Sequence, residues 1–387
     1  MSRILAAADR LPPRLRRLIK ALPGSGHLRR LAVGRPGGPT PEPGTMRPVV
    51  YLPTWARWDV MRQRPQFLLE AFAAAGHPVY FIDPREDATR ISHGVTIVPS
   101  IASVPGEHVI LYIHFAPLRD LIDRFADAVV VYDVLDDLAI YEPDELGLPI
   151  ERTVAHHHPF LVERANHLIV SNPVLLERHE HEHAGTILVA NGVDVARFEA
   201  SAARPADLDA TTRPIVGYRG AVGEWFAFDL LEDVARLRPE LSFTLVGPIY
   251  ERVRDRADET ARLPNVAFLG ERASDDMPAY AQAFDVEAIW FTVNEMTAGV
   301  TPLKMYEALA AGTPVVSTAL PACTAEPEIR TASDPAAFSS ALDDALADAS
   351  DPSWLERARE AAHAADWSKR LDPLLDRLDA AGHRLVP

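Results

Sequence analysis

From Met46 onward, short β-branched apolar runs alternate with amphipathic stretches at helical spacing. "VVYLPT" leads into "RPQFLLEAFAAAG", then "HPVYFID", and later "HVILYIH", "AVVVYDVLD", "HLIVSN" and "TILVAN". Strands alternating with helices predict a parallel sheet covered on both faces. After Asp209 a second series begins: "RPIVGYRG", a helix over "FAFDLLEDVARLRP", then "SFTLVGPI", "NVAFLG", "VEAIWFTV" and "TPVVST". Between the two series lies "NGVDVARFEASAARPADLDATTRP", whose Gly, Pro and Asp content and weak periodicity suit a hinge. The pattern therefore predicts an α/β protein of two doubly wound, Rossmann-like domains, 46–200 and 201–365. The final stretch, "PSWLERAREAAHAADWSKRLDPLLDRLDAAG", is two helical patterns parted near Trp367, and residues 366–387 are expected to pack back on the first domain. The length of 387 residues agrees with two domains rather than one core.

Residues 1–45 break this pattern. They alternate apolar positions with basic ones from Arg3 to Arg35, against only Asp9 and Glu42, and dissolve into "GRPGGPTPEPGT". The composition fits a basic amphipathic helix lying on an anionic membrane, or a disordered tail and linker with Met46 as the true start. The chain as a whole carries a formal charge of -16, which argues against a general nucleic-acid binder. Any anionic ligand must be met by local cations. One cysteine, Cys323, excludes an internal disulfide framework or a multi-thiolate metal site and suits a reducing cytoplasm; its expected role is packing. No apolar run is long enough to span a membrane.

Ligands of open α/β sheets bind beyond the carboxyl ends of the strands, so chemistry is expected there. In "VGYRGAVGEW" a strand runs into Gly217, Arg219, Gly220 and Gly223. Small residues there let backbone approach an oxyanion, and a guanidinium can grip a diphosphate; a tight turn with a solvent-facing arginine is the alternative. The GxxGxxG spacing is not the dinucleotide fingerprint. A second phosphate candidate is "TAGVTPLKMYEALAAGTPVVST", where Thr301 and Pro302 start a helix with Lys304 in its first turn. A cation there opposes the helix dipole, an arrangement easier to justify with a bound anion. Glu307, on roughly the same face, could accept bonds from ribose hydroxyls, or simply pair with Lys304 at the surface. In the first domain, Asp133, Asp136 and Asp137 of "VYDVLDDL" sit at a strand end, where a carboxylate could orient an acceptor hydroxyl or act as a base, or cap a helix. The loop "WARWDVMRQRPQF" offers Trp55 and Trp58 as sugar platforms, with Asp59, Gln63 and Arg64 as acceptor-side polar groups, Arg64 for an acidic acceptor; ordinary packing and capping are the alternative. Two histidine clusters, 156–158 and 179, 181 and 183, lie in helical patterns; only His179 and His183 have metal-ligand spacing, and both clusters read as exposed helix faces.

"NGVDVARF", "VAFLGER", "MPAYAQAFDVEAIWF" and "TPLKMYEALAAGTPVVST" resemble the carboxyl half of GT-B glycosyltransferases of family 4, the group 1 type. "MRQRPQFLLEAFAAAGHPVYFID" and "VYDVLDDL" resemble, more narrowly, the bacterial teichuronic acid biosynthesis branch. The resemblance implies two domains facing across a cleft, with a nucleotide-sugar donor, more readily a UDP-sugar, held by the second and a glycan, lipid-linked or small-molecule acceptor by the first. No metal or other cofactor is implied. Arg219 and Lys304 would neutralise the diphosphate, Glu307 would hold the ribose, Glu271 and Arg272 would border the base, and His114 would face the donor sugar. The family places two glutamates with seven residues between them; Gly299 stands where the first is expected, and Glu295, with Asn294 and Thr297, is the nearest substitute. Retention of anomeric configuration is implied, with the leaving diphosphate helping to deprotonate the acceptor. The expectation is a cytoplasmic hexosyltransferase of cell-wall or exopolysaccharide biosynthesis, peripheral to the membrane if residues 1–30 bind there. A nucleotide-sugar epimerase of the same fold and a non-catalytic sugar-binding protein are the alternatives.

Overall fold

The computed structural model describes residues 34–52, 57–59, 62–135 and 150–387. The chain divides into two units: one runs to Ala190 and takes in Arg370–Pro387, the other is Asn191–Lys369. Residues 1–33, which carry most of the basic stretch, lie outside the described residues. None of the described helices is long and apolar enough to cross a membrane.

Among the described residues the first unit is built on eight strands: β1 (Val49–Tyr51), β2 (Val79–Ile82), β3 (Arg90–Ser92), β4 (Val95–Val98), β5 (Ile110–Ile113), β6 (Val129–Val134), β7 (His167–Val170) and β8 (Ile187–Leu188). They lie in the order β3-β4-β2-β1-β5-β6-β7-β8, and only the β3–β4 pair is antiparallel. Every residue of β1, β5, β6 and β7 is buried, as expected of parallel strands covered on both faces. The expected runs supply β1, β2, β5, β6, β7 and β8. The β3–β4 hairpin is an addition, made at "SHGV" by His93 (φ 48) and Gly94 (φ 76), both left-handed, as a two-residue hairpin turn needs.

The second unit has six parallel strands: β9 (Ile215–Arg219), β10 (Ser242–Val246), β11 (Val266–Gly270), β12 (Val286–Ile289), β13 (Val315–Thr318) and β14 (Ile329–Ala332), in the order β11-β10-β9-β12-β13-β14. Its core carries Trp290 stacked on Phe338, centroids 4.4 Å apart. The helix Leu303–Ala311 feeds β13 through Gly312, left-handed at φ 74, which closes the helix as its "AAGTP" ending predicts. The two C-terminal helices are Pro352–Ala364 and Trp367–Ala380, parted at Trp367.

Both sheets reverse their strand order beside a central strand, between β1 and β5 in the first and between β9 and β12 in the second. Open α/β sheets place their ligands at such reversals.

Candidate functional site

In the second unit β9 ends on Arg219, and β12 brings Glu287 opposite Gly217. Arg219 is 3% exposed and Glu287 fully buried. Nε and Nη2 of Arg219 donate to Oε2 of Glu287 at 3.0 and 2.8 Å, and Nη1 donates to Oε2 of Glu307 at 2.9 Å. Charges removed from water must be paired, and this guanidinium is held between two carboxylates. Burial opposes its charge, Glu287 and Glu307 outweigh burial, and its pKa is raised. Arg219 is thus not the solvent-facing arginine of a turn. Glu307 is partnered by it rather than by Lys304.

Lys304, in the first turn of Leu303–Ala311, is half-buried. Its Nζ lies 5.0 Å from the ring centre of Tyr218 and 4.9 Å from that of Phe291. Two aromatic faces can hold a cation without neutralising it. Among the described residues Lys304 has neither an ion pair nor a hydrogen bond. Burial pushes its pKa down to about 8, with Glu287 and Glu307 pulling it up and Arg219 adding to the fall. Gly220, at φ +140, leaves the space beside it: a Cβ there would stand 3.2 Å from Nζ.

The other expected donor residues sit as follows. Pro302 is the N-cap of the Lys304 helix, and the carbonyl of Thr301 accepts from Asn191 Nδ2 at 2.8 Å. Gly217 serves packing: a Cβ there would meet the Phe284 ring at 2.0 Å. Arg272 reaches Asp207 Oδ2 through Nε at 3.1 Å and Nη2 at 2.9 Å, and the Tyr280 hydroxyl donates to the same oxygen. Glu295 is exposed and opens the short helix Glu295–Ala298, while Asn294 and Thr297 cap that helix reciprocally. Glu287, Tyr218 and Phe291 were missed. A glutamate inside the apolar run "VEAIWF" was the available signal.

In the first unit the carboxyl ends of β1, β5 and β6 carry a buried polar network. Arg64 Nε donates to Asp133 Oδ2 at 2.9 Å, Nη2 to Oδ1 at 3.0 Å, and Nη1 to the Val189 carbonyl at 2.5 Å. The Tyr112 hydroxyl also donates to Asp133 Oδ2. Asp133 is fully buried and Arg64 is 4% exposed. Asp133 in the role of a base and Arg64 in that of an acceptor-side cation are therefore corrected: both are buried and paired with each other, because charges in the sheet interior must be compensated there.

His114, just beyond β5, is half-buried and stacked on Tyr51, whose hydroxyl lies 2.8 Å from Nδ1. Burial pushes its pKa down to about 4, against a smaller upward pull from Asp133. The ring is therefore neutral near pH 7. Trp58 is 1% exposed, its ring set edge-on to Phe81, so it is core rather than a sugar platform. Asp59 pairs with Arg90 at 2.6 Å, and the Gln63 backbone N–H donates to Gln66 Oε1 at 3.2 Å to start the helix Arg64–Ala74. Trp55, Asp136 and Asp137 lie outside the described residues.

The histidines depart from the expected exposed faces. His179 ends its helix, so His181 and His183 are not on it, and His158 and His179 are buried. Cys323 is buried, and burial pushes its thiol up to about 11, which leaves it a packing residue.

Residues 213–348, the second unit's sheet and most of its helices, match the family described as Glycosyl transferases group 1. A Bacillus subtilis protein named as a candidate teichuronic acid biosynthesis glycosyltransferase, TuaH, is 26% identical over 281 residues, 69% of this chain and 71% of that one. Among solved structures, the trehalose-phosphate synthase (UDP-forming) of Burkholderia xenovorans, in complex with glucose-6-phosphate, superposes with a TM-score of 0.64. It is 10% identical, over 86% of this chain and 100% of that one. HepE of Anabaena, in complex with UDP and glucose, superposes with a TM-score of 0.60 at 15% identity, over 87% of this chain and 100% of that one. At these identities the structures speak for the fold alone. Residues 213–348 thus match the glycosyl transferases group 1 family, in a chain whose two Rossmann-like units share the GT-B fold of these solved structures.

Proposed function

We propose that the protein transfers a sugar from a UDP-sugar to a hydroxyl of a glycan, lipid-linked or small-molecule acceptor, with retention at the anomeric carbon. The observation that carries this reading is Lys304, an ammonium with no anionic partner among the described residues, set over two rings in the first turn of a helix. In the proposed complex it meets the donor diphosphate, where charge grows as the anomeric carbon–oxygen bond breaks. The acceptor oxygen forms the new bond on the same face, and its proton passes to the departing diphosphate. Arg219 holds Glu287 and Glu307 in place beneath this site and leaves Glu307 its second oxygen for a ribose hydroxyl. Neutral His114, in the first unit, suits a hydrogen bond to a sugar hydroxyl rather than proton abstraction. UDP and glucose bound to HepE support the choice of nucleotide, and the teichuronic acid role in TuaH's name favours the glycan among the three acceptor classes.

Thermal-shift measurements against UDP, GDP, dTDP and their sugars test this directly, since a ligand that binds only the folded state raises its stability. UDP and one UDP-sugar are expected to raise the midpoint. No shift with any of them would remove the reading.

A further inference from the structure

His158, in the helix Ile150–Arg164, and His179, at the end of the helix Pro173–His179, come together over Glu182 in the turn that follows. Oε2 of Glu182 lies 2.9 Å from His158 Nε2 and 2.6 Å from His179 Nδ1. The two imidazoles are 5.2 Å apart and tilted by 59°. Each residue offers one ligand atom, and the three atoms all fall within 4.8 Å of one another. The remaining ring nitrogen of His158, Nδ1, lies 2.8 Å from the hydroxyl of buried Tyr132 on β6.

We propose that His158, His179 and Glu182 form a zinc site distinct from the donor site. Two imidazole nitrogens and one carboxylate oxygen are a donor set that zinc takes in tetrahedral geometry, with water in the fourth position. Ligating histidines characteristically have their other nitrogen fixed by a hydrogen bond, which Tyr132 supplies for His158. With the metal bound, each ring carries its single proton on the nitrogen turned away from the metal, which for His158 is Nδ1, where the Tyr132 hydroxyl oxygen accepts it. The Nε2 lone pair then goes to the metal. The histidines are buried, whereas the Glu182 side chain is 41% exposed, so the ion has a route in from solvent and room for a water. Two helices and the central strand β6 meet at this point, and the ion would tie them together. The helical spacing of His179 and His183 had pointed to a different pair: the real partner of His179 lies on another helix.

The test uses the full chain without a histidine tag, stripped with a chelator and exposed to Zn²⁺ or Co²⁺. One ion per chain is expected to survive desalting, the cobalt form is expected to show the intense visible bands of a four-coordinate site, and zinc is expected to raise the thermal midpoint. His179→Gln and Glu182→Gln should each lower zinc affinity at least tenfold, and His181→Gln, exposed and outside the cluster, should not change it. Circular dichroism identical to that of the parent keeps such a loss from being read as unfolding. A parent chain that retains no ion, a cobalt spectrum of the hydrated ion, or parent-like affinity in both cluster variants would overturn the proposal. The cobalt spectrum of the parent decides the matter even if a variant fails to fold. Donor binding at Lys304 is measured separately, so either reading can fail alone.

Discussion

Arg219 places two hydrogen bonds on one oxygen of Glu287, and the other oxygen, Oε1, is buried without a hydrogen-bond partner. An ion pair of this kind is costly to break from one side, because the remaining charge stays buried and uncompensated. Glu287→Ala is expected to destabilise the protein by about 3–5 kcal/mol. Equilibrium denaturant unfolding measures it. A loss below about 1 kcal/mol, the range of exposed pairs, would mean that the pair is not buried in solution. The same physics applies to Arg219→Ala, so activity lost in that variant reports on the fold before it reports on phosphate binding.

Lys304 is the opposite case. Its burial disfavours the charge, so replacing it with Met removes a group that the fold holds at a cost. Lys304→Met should leave the thermal midpoint unchanged or raise it. UDP affinity by calorimetry should fall by roughly 10- to 100-fold, the loss of one charge-assisted hydrogen bond of about 1.5–3 kcal/mol. Unchanged UDP affinity would place the diphosphate elsewhere.

The pH dependence of UDP binding follows from the same lysine. A pKa of about 8 means that the ammonium is present at pH 7 and loses its proton as pH rises through 8. Affinity for the diphosphate should therefore be flat from pH 6.5 to 7.5 and fall between about 8 and 10, where an ordinary lysine of pKa about 10.4 would remain largely charged. His114, at about 4, adds no slope in this window. In Lys304→Met the fall should vanish, and calorimetry across pH in both proteins checks it.

Asp133 and Arg64 make a parallel prediction in the first unit. Asp133→Ala leaves Arg64 buried with its two-pronged partner gone and should cost about 3–5 kcal/mol by denaturant unfolding. A base in contact with substrate would instead lose activity with stability intact, and that result would restore the catalytic reading of Asp133.

These two pairs mark where the sequence stops being legible. The alternation of strands and helices predicted every strand of both sheets except β3, β4 and β14, with the Pro302 helix start and the Gly312 ending, because each depends on local periodicity and capping. Residue type also marked Arg219, Lys304, Glu307, Asp133 and Arg64 as unusual. What each touches depends on which strands neighbour one another. β9 lies beside β12, so Arg219 meets Glu287, 68 residues away. The helix Arg64–Ala74 carries Arg64 to β6, so it meets Asp133 rather than solvent. Trp58 was unreadable for the same reason: an aromatic in a loop is core or platform according to what covers it. His158 and His179, on separate helices, show no spacing at all.

The glycines of "VGYRGAVGEW" separate a packing role from a binding one. A methyl group at Gly217 would stand 2.0 Å from the ring of Phe284, itself 4% exposed, so neither side can yield without disturbing the core. Gly217→Ala is expected to cost at least the 1–3 kcal/mol typical of overpacking, with UDP affinity of the folded protein retained. Gly220 differs on both counts. Its φ of +140 is open to glycine but strained for alanine by about 1–3 kcal/mol. The new methyl would also stand 3.1 Å from Lys304 Cε and 3.2 Å from Nζ, pushing the ammonium off the Tyr218 and Phe291 rings. Gly220→Ala should therefore lose stability and UDP affinity together, and calorimetry on protein shown to be folded separates the two effects. Equal UDP affinity in both variants would show that Lys304 does not set the donor's position, because only one of the two methyl groups can reach it.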